Sequence, residues 1–160
     1  MAVDMFLSLE GIKGESVDSV HKETIDLLAW SWGMSQSGTT HQGAGSGAGK
    51  ANFQDISFTK YVDKSSPDLM YACASGKHIA KAKLTVRKAG EKPLEYMVFE
   101  LEDIIVSSVS TGGSGGEERL TENCTLNFAT VKFEYATQDK KGAKDKIGSF
   151  GWKIAENVKL

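Results

Sequence analysis

This sequence predicts a mainly β fold: an antiparallel β-barrel with one short side helix and a long extended loop. Three observations carry that expectation. Apolar residues alternate in short runs between glycine-rich or polar turns, which is the pattern of strands. Helix start and stop signals occur together in one segment only, whereas an α/β fold needs a helix between successive strands. Seven Phe and three Trp in 160 residues are enough to anchor one core, since fully burying such a side chain contributes roughly 1.5–3 kcal/mol. The length suits a single domain over residues 1–160.

The elements follow in order. Met5 to Ile12 reads as the first strand, with Met5, Leu7 and Leu9 on one parity, and Glu15 to Glu23 as a polar loop. Thr24 to Gln36 reads as a strand, because Trp30, Trp32 and Met34 alternate with Ser31 and Gly33 and no helix cap precedes it. Ser37 to Ala51 is a long glycine-rich insertion. Asn52 to Val62 resumes as a strand, with Ile56 and Phe58 sharing a face. The helix follows. Ser66 is its expected N-cap, Pro67 its first residue and Asp68 a favourable first-turn charge, with Leu69, Met70 and Cys73 at helical spacing and Gly76 as the left-handed stop. Ala80, Ala82, Leu84 and Val86 then alternate with Lys81, Lys83, Thr85 and Arg87, a strand with one buried face. Leu94 to Leu101 is apolar on both parities and should be covered on both faces, and Ile104 to Ser110 forms a further strand. Leu120 to Tyr135 is one long strand whose apolar parity switches, which places a β-bulge near Phe128. A lysine-rich loop, Gln138 to Lys146, leads to a last strand with Phe150, Trp152 and Ile154. Counted this way there are about eight strands, arranged as an antiparallel barrel or a tight sandwich.

Composition narrows the function. A formal net charge of −2 argues against a general nucleic-acid binder. No run approaches the roughly 18–20 apolar residues of a membrane span, so no membrane insertion is expected. The N-terminus has Asp4 early and no basic leader region, so no standard secretory signal is expected. Cys73 and Cys124 lie far apart without CxxC spacing and read as two reduced, half-buried thiols.

The motifs that suggest chemistry fail on inspection. Ala44-Gly45-Ser46-Gly47-Ala48-Gly49-Lys50-Ala51 nearly matches a phosphate-binding loop, but Ala51 stands where a Mg²⁺-binding hydroxyl is needed and no strand-to-helix context surrounds it. Thr111 to Gly116 reads as a hairpin loop, and Glu117-Glu118-Arg119 as a solvated or interface charge cluster. His21, His41 and His78 lack metal-ligand spacing, and no GxSxG elbow is present. No catalytic residue, metal ligand or cofactor is assigned.

Several blocks then carry a resemblance. Met1-Ala2-Val3-Asp4-Met5-Phe6, Gly14-Glu15-Ser16 and Ala29-Trp30-Ser31-Trp32-Gly33-Met34-Ser35-Gln36-Ser37-Gly38 resemble the N-terminal half of the haemolysin-coregulated proteins, Hcp. So do Phe58-Thr59-Lys60-Tyr61-Val62-Asp63-Lys64-Ser65 and Ala72-Cys73-Ala74-Ser75-Gly76-Lys77-His78. Val106 through Gly116, Leu120-Thr121-Glu122-Asn123 and Gly151-Trp152 continue the match in order.

The resemblance implies a tube subunit of bacterial type VI secretion. It implies hexameric rings of this chain that stack into a tube expelled by a contractile sheath, and a lumen that holds small effectors. Its partners are then copies of itself, the effectors, and the spike and sheath components. Its place is the cytoplasm before firing and the medium or target cell afterwards. With both Trp rings of the Trp30-Ser31-Trp32 run directed inward, Ser31 points outward, which the family implies is the lumen. The insertion residues Thr39, Thr40, His41, Gln42, Gly43, Gly45, Ser46, Gly47, Gly49 and Lys50 are implied to reach a neighbouring subunit or ring. Two other classes stay open on the residues alone: a monomeric small-ligand-binding β-barrel with a closed apolar pocket, and a cryptic hydrolase.

Overall fold

The computed structural model describes residues 3–37, 50–90 and 93–160. Among the described residues there are eleven strands and one helix. In chain order they are β1 (Val3–Leu9), β2 (Ile25–Asp26), β3 (Ala29–Ser31), β4 (Met34–Ser35), β5 (Asn52–Phe53), β6 (Ile56–Tyr61), α1 (Ser65–Ser75), β7 (His78–Lys88), β8 (Leu94–Thr111), β9 (Thr121–Gln138), β10 (Lys144–Lys153) and β11 (Val158–Lys159).

All the pairings are antiparallel, and β9 is the spine. Along one edge it pairs with β8, from Met97↔Tyr135 to Thr111↔Glu122. Its other edge is shared. β6 takes the first half, from Tyr61↔Thr121 to Ile56↔Leu126, and β10 takes the second, from Lys153↔Thr130 to Lys144↔Gln138. β7 lies beyond β8, and β1 beyond β7. The run 25–31 closes the circuit. Its first half bonds to β1, with Leu27 N donating to Met5 O at 3.0 Å, and its second half to β6, with Leu28 N donating to Thr59 O at 2.8 Å. Passing from β1 through β7, β8, β9 and β6 therefore leads back to β1, and the expected barrel is present.

Its interior is filled by side chains. Leu7, Ile25, Ile56, Phe58, Leu84, Leu101, Ile104, Leu126 and Val131 are all buried in one cluster. Trp30 and Trp32 pack edge-on to Phe99, with centroids 5.0 and 5.7 Å apart. Such T-shaped pairs are favoured by the ring quadrupoles.

The structure corrects several sequence expectations, and each correction has a physical cause. Thr24–Gln36 is not one strand but β2, β3 and β4, because the segment changes partner from β1 to β6 to β5 as it advances. Leu94–Leu101 and Ile104–Ser110 are one strand instead of two. Asp103 takes a left-handed φ of 54° between them, yet Glu102↔Thr130 and Ile104↔Phe128 keep the same register. The irregularity expected near Phe128 falls instead on β8, between Val106 and Ser108. The parity of β9 does switch, at Thr130–Val131, which is where β10 has replaced β6 as its neighbour. The lysine-rich loop is shorter than expected, since β10 begins at Lys144.

At the helix, Ser66 is not the N-cap. Asp63 Oδ1 accepts from Ser65 N at 2.9 Å, and Ser66 Oγ accepts back from Asp63 N at 3.1 Å, a reciprocal capping arrangement. Gly76 ends the helix as expected, at φ 68°, donating its N–H to Ala72 O. Leu69 and Ala72 face the barrel, whereas Met70 is exposed. Thr85 and Arg87, expected to face solvent, are buried, for a reason that belongs to the outer surface described next.

Candidate functional site

The barrel turns two different faces outward. The first runs across β3, β6, the first half of β9 and the end of β8. Register places Ser31 opposite Ser57, Ser57 opposite Thr125, and Thr125 opposite Ser108. The next row is Ala29, Thr59, Asn123 and Ser110. These side chains are short, uncharged, and bonded among themselves. Thr59 Oγ1 donates to Asn123 Oδ1 at 2.6 Å, and Thr125 Oγ1 shares contacts of 2.6 Å with both Ser107 Oγ and Ser108 Oγ. At one end, Asp55 accepts from Ser107 Oγ at 2.7 Å and from Asn127 Nδ2 at 2.9 Å. At the other end, the Arg119 guanidinium lies 3.8 Å from the Tyr61 ring centroid. Alternation fixes which way Ser31 points: Trp30 and Trp32 turn to the core side, and Ser31 is exposed on the polar face.

The second face spans β1, β7, the first half of β8, the second half of β9 and β10. It is charged. Ser8, Lys83, Glu100, Lys132 and Gly151 form one row across five strands, with Lys81, Glu102 and Thr130 in the next. At the end of this face the loop between β1 and β2 folds over the sheet as a strap. Arg87 holds it, donating Nη2 to Asp18 Oδ1 at 2.7 Å and to Asp4 Oδ2 at 3.0 Å, while the guanidinium sits 4.9 Å from the Phe6 centroid. His21 stacks on Phe6 at 4.5 Å and pairs with Glu95 at 2.6 Å. This strap is what buries Arg87. The Arg87 hydrogen bond, with help from the Val20 and His21 backbone N–H groups, holds the Asp18 carboxyl well below the usual carboxylate range. The same pairing raises Arg87 further.

Inside, between the barrel wall and the helix, Lys60 and Glu122 are directly paired cross-strand residues, both 0 % exposed. Lys60 Nζ forms an ion pair with Glu122 Oε1, and also reaches Asp63 Oδ1 at 2.9 Å, Ser66 Oγ at 3.1 Å and Tyr61 O at 3.0 Å. Ser66 Oγ donates to Glu122 Oε1 at 2.6 Å. The helix is thus tied to the barrel wall by a buried charge network. Cys124 sits alongside. Burial, and then the Glu122 charge, push its thiol up to about 12, so at neutral pH it is a protonated, unreactive apolar group. Both cysteines are free thiols.

Of the residues singled out in sequence, Ser31 is placed on the polar face. Lys50 is exposed at the start of the segment leading to β5. Thr39, Thr40, His41, Gln42, Gly43, Gly45, Ser46, Gly47 and Gly49 lie outside the described residues. Sequence reasoning missed Asp55, Ser107, Thr125 and Asn127. For Thr125 and Asn127 the signal that could have found them is parity, since small polar residues alternate with Cys124, Leu126 and Phe128 in the first half of β9, while Asp55 and Ser107 are marked only by the partners they meet on other strands. Among the described residues no group of three or more His, Cys, Asp or Glu could hold a metal ion. His21 faces a carboxylate and a ring, not a nucleophile.

A barrel whose interior is occupied by its own side chains recognises other molecules through its outer surfaces. Fold and faces together define a structural β-barrel module. Residues 6–135 match the family described as type VI secretion system effector, Hcp. The chain is 62% identical over 160 residues to Protein hcp1 of Pseudomonas aeruginosa, covering 99% of each. The fold superposes on the crystal structure of Hcp1 from Salmonella typhimurium with a TM-score of 0.81, at 38% identity over 100% of both chains. It superposes on another type six secretion system protein with a TM-score of 0.93, at 28% identity over 99% of this chain and 100% of that one. The chain belongs to the Hcp family, the secreted tube proteins of type VI secretion systems. The family resemblance read from the sequence holds, and the small-ligand barrel is not favoured. Among the described residues no helix is long and apolar enough to cross a membrane.

Proposed function

We propose that this chain closes head-to-tail into hexameric rings, that the rings stack into the inner tube, and that the polar face of β3, β6, β9 and β8 lines the lumen. The observation that carries this reading is the contrast between the faces. A channel that must pass folded cargo needs a wettable surface without long charged side chains. The face around Ser31, with its hydroxyls and amides bonded to one another, has that chemistry. Its lateral edges support ring closure. Among the described residues β3 pairs only with β6, and β8 beyond Ile105 pairs only with β9. Two different unpaired edges at opposite sides of one face suit a heterologous contact between copies.

In this reading the chain is not an enzyme. It waits in the cytoplasm, is exported whole, and meets effectors, spike and sheath components as a structural partner. The insertion from Thr39 to Lys50 reaches a neighbouring subunit or ring, so deleting Gly43 to Gly49 spares the fold by circular dichroism but impairs tubes seen by electron microscopy. Light scattering with negative-stain imaging tests the ring directly, and a monomer at micromolar concentration refutes it. Ser31→Gln tests the lumen: rings persist while effector retention falls. Unchanged retention would mean that this face lies elsewhere.

A further inference from the structure

The polar face holds one feature that its neutral chemistry does not explain. Asp55 is a carboxylate beside rows made of hydroxyls, amides and small side chains. Its two oxygens are held apart by neutral donors from different strands: Oδ2 by Ser107 of β8 at 2.7 Å, and Oδ1 by Asn127 of β9 at 2.9 Å. Neither donor cancels the charge, and among the described residues no Lys, Arg or His forms an ion pair with it. Each oxygen keeps further lone-pair capacity, because a carboxylate offers about four acceptor sites. Arg119, the cation at the other end of this face, is stacked on Tyr61. Asp55 and Tyr61 are separated by six residues of extended chain, on the order of 20 Å. That is well beyond the ~8 Å over which physiological salt screens exposed charges, so Arg119 does not neutralise Asp55.

Beside it opens a cleft of about 210 Å³, lined by Asn52, Phe53, Gln54, Asp55, Asn127 and Phe128. Its walls are aromatic, aliphatic through Ile154, and amide, with the carboxylate among them. That combination suits a long side chain with an apolar stem and a charged, hydrogen-donating head. The stem covers Phe53 or Phe128 while the head takes the free lone pairs of Asp55.

We propose that Asp55 is the charge-selecting residue of this face, and that it takes lysine or arginine side chains of a protein cargo. This rests on the reading that the face lines the lumen. Repeated around a ring, the Asp55 carboxylates form one negative band at their end of the face, apart from the Arg119 end, and that band attracts cations locally. The hydroxyl rows then supply passage without grip, and Asp55 supplies the preference.

The test uses purified rings of the full chain and a small dye-labelled three-helix domain in two versions, one with surface lysines and one with those lysines exchanged for glutamate. Wild-type rings should retain the cationic version about fivefold better at low salt, as one exposed charge pair provides, and the preference should fade at high salt. Asp55→Asn keeps the shape of the side chain, with its oxygen still accepting from Asn127 Nδ2 and its NH2 donating to Ser107 Oγ; it should erase the preference with at most a small shift of the unfolding midpoint. Ser57→Asp, which adds a second carboxylate nearby on the face, should widen it. An unchanged preference in Asp55→Asn, or none gained in Ser57→Asp, overturns the proposal. Ser31→Gln separates it from the lumen reading. If Ser31→Gln lowers retention of both versions while Asp55→Asn leaves their ratio intact, the lumen stands and Asp55 is not the selector. If Asp55→Asn erases the ratio while Ser31→Gln changes nothing, Asp55 binds cations on a face that is not the channel wall.

Discussion

The two outer faces use the same backbone geometry and different side chains. On the polar face each row crosses four strands with groups no longer than asparagine, and their hydrogen bonds close within the face. On the charged face the rows carry lysine and glutamate in alternation, as in Lys83, Glu100 and Lys132. Opposite charges facing one another across strands each contribute roughly 0.2–1 kcal/mol, and like charges cost a similar amount. The hydroxyl and amide pairs of the polar face contribute in the same range but carry no charge, so only the charged face responds to salt. The charged face is tuned as a set, and its strap fixes one end of it. Behind both lies the Lys60–Glu122 network, which neither face shows.

That ordering can be broken from the inside outward. The largest effect should come from Lys60→Met, which leaves Glu122 and Asp63 buried without their cation. A loss of about 3–5 kcal/mol in urea unfolding is expected. The double variant Lys60→Met with Glu122→Leu should recover much of it, since an apolar pair needs no desolvation. Both faces should fail together in the single variant, because α1 loses its tie to the wall.

Gly14→Ala should come next, and it should act on the charged face alone. A Cβ there would meet Thr24 O at 2.3 Å, where Gly14 N also donates to Glu23 O at 2.8 Å, so the base of the strap must shift. About 1–3 kcal/mol is expected, as for other steric insertions. Hydrogen exchange should quicken at the Gly14 and Glu23 amides while those of β6 stay protected.

A smaller effect sharpens the comparison itself. Glu100→Lys puts a third cation in the row with Lys83 and Lys132, costing on the order of 1 kcal/mol at low salt and less as salt rises. Ser57→Ala, the corresponding change on the polar face, should stay within about 0.5 kcal/mol and show no salt dependence. Equal salt sensitivity in the two variants would erase the distinction between the faces.

The smallest effect at neutral pH is that of acid on the strap. The Asp18 carboxyl is held below its ordinary value of 3.8 in the folded chain. Its contribution is therefore complete above that value and is lost as pH falls through the folded-state range beneath it. Hydrogen-exchange protection of the Val20 and His21 amides, relative to an unfolded chain at the same pH, should be flat from neutral to about pH 4 and fall below it. In Asp18→Asn that fall should vanish and protection should be lower throughout.

Much of this was legible in sequence where a local rule decides. The alternation around Trp30, Ser31 and Trp32 and the Gly76 stop each declare themselves within a few residues, whereas the doubly apolar run before Leu101 buries Phe99 and Leu101 on one parity only, with Tyr96, Val98 and Glu100 on the outward face. What was not legible depends on partners far along the chain. Arg87 reads as a solvent-facing residue until Asp18 and Asp4 are folded over it, and Lys60 reads as one more surface lysine until Glu122 comes opposite. Ser66 looked like the cap because Ser before Pro is the common pattern, yet its hydroxyl is taken by Lys60 and Glu122. Asp55 carried no motif at all, since its meaning comes from Ser107 and Asn127 on two other strands.

The sharing of β9 between β6 and β10 has a mechanical side. One continuous strand of 18 residues belongs to both faces, and β8 is laddered to it over nearly its whole length. A load on either face enters the same strand and is spread over many hydrogen bonds sheared at once instead of peeled singly. The polar and charged faces cannot part at a seam, because β9 runs unbroken from one to the other. In the proposed stacked tube the wall would meet an axial load as one plate, and forced unfolding of the chain should proceed by one high step that begins with β9 leaving β8.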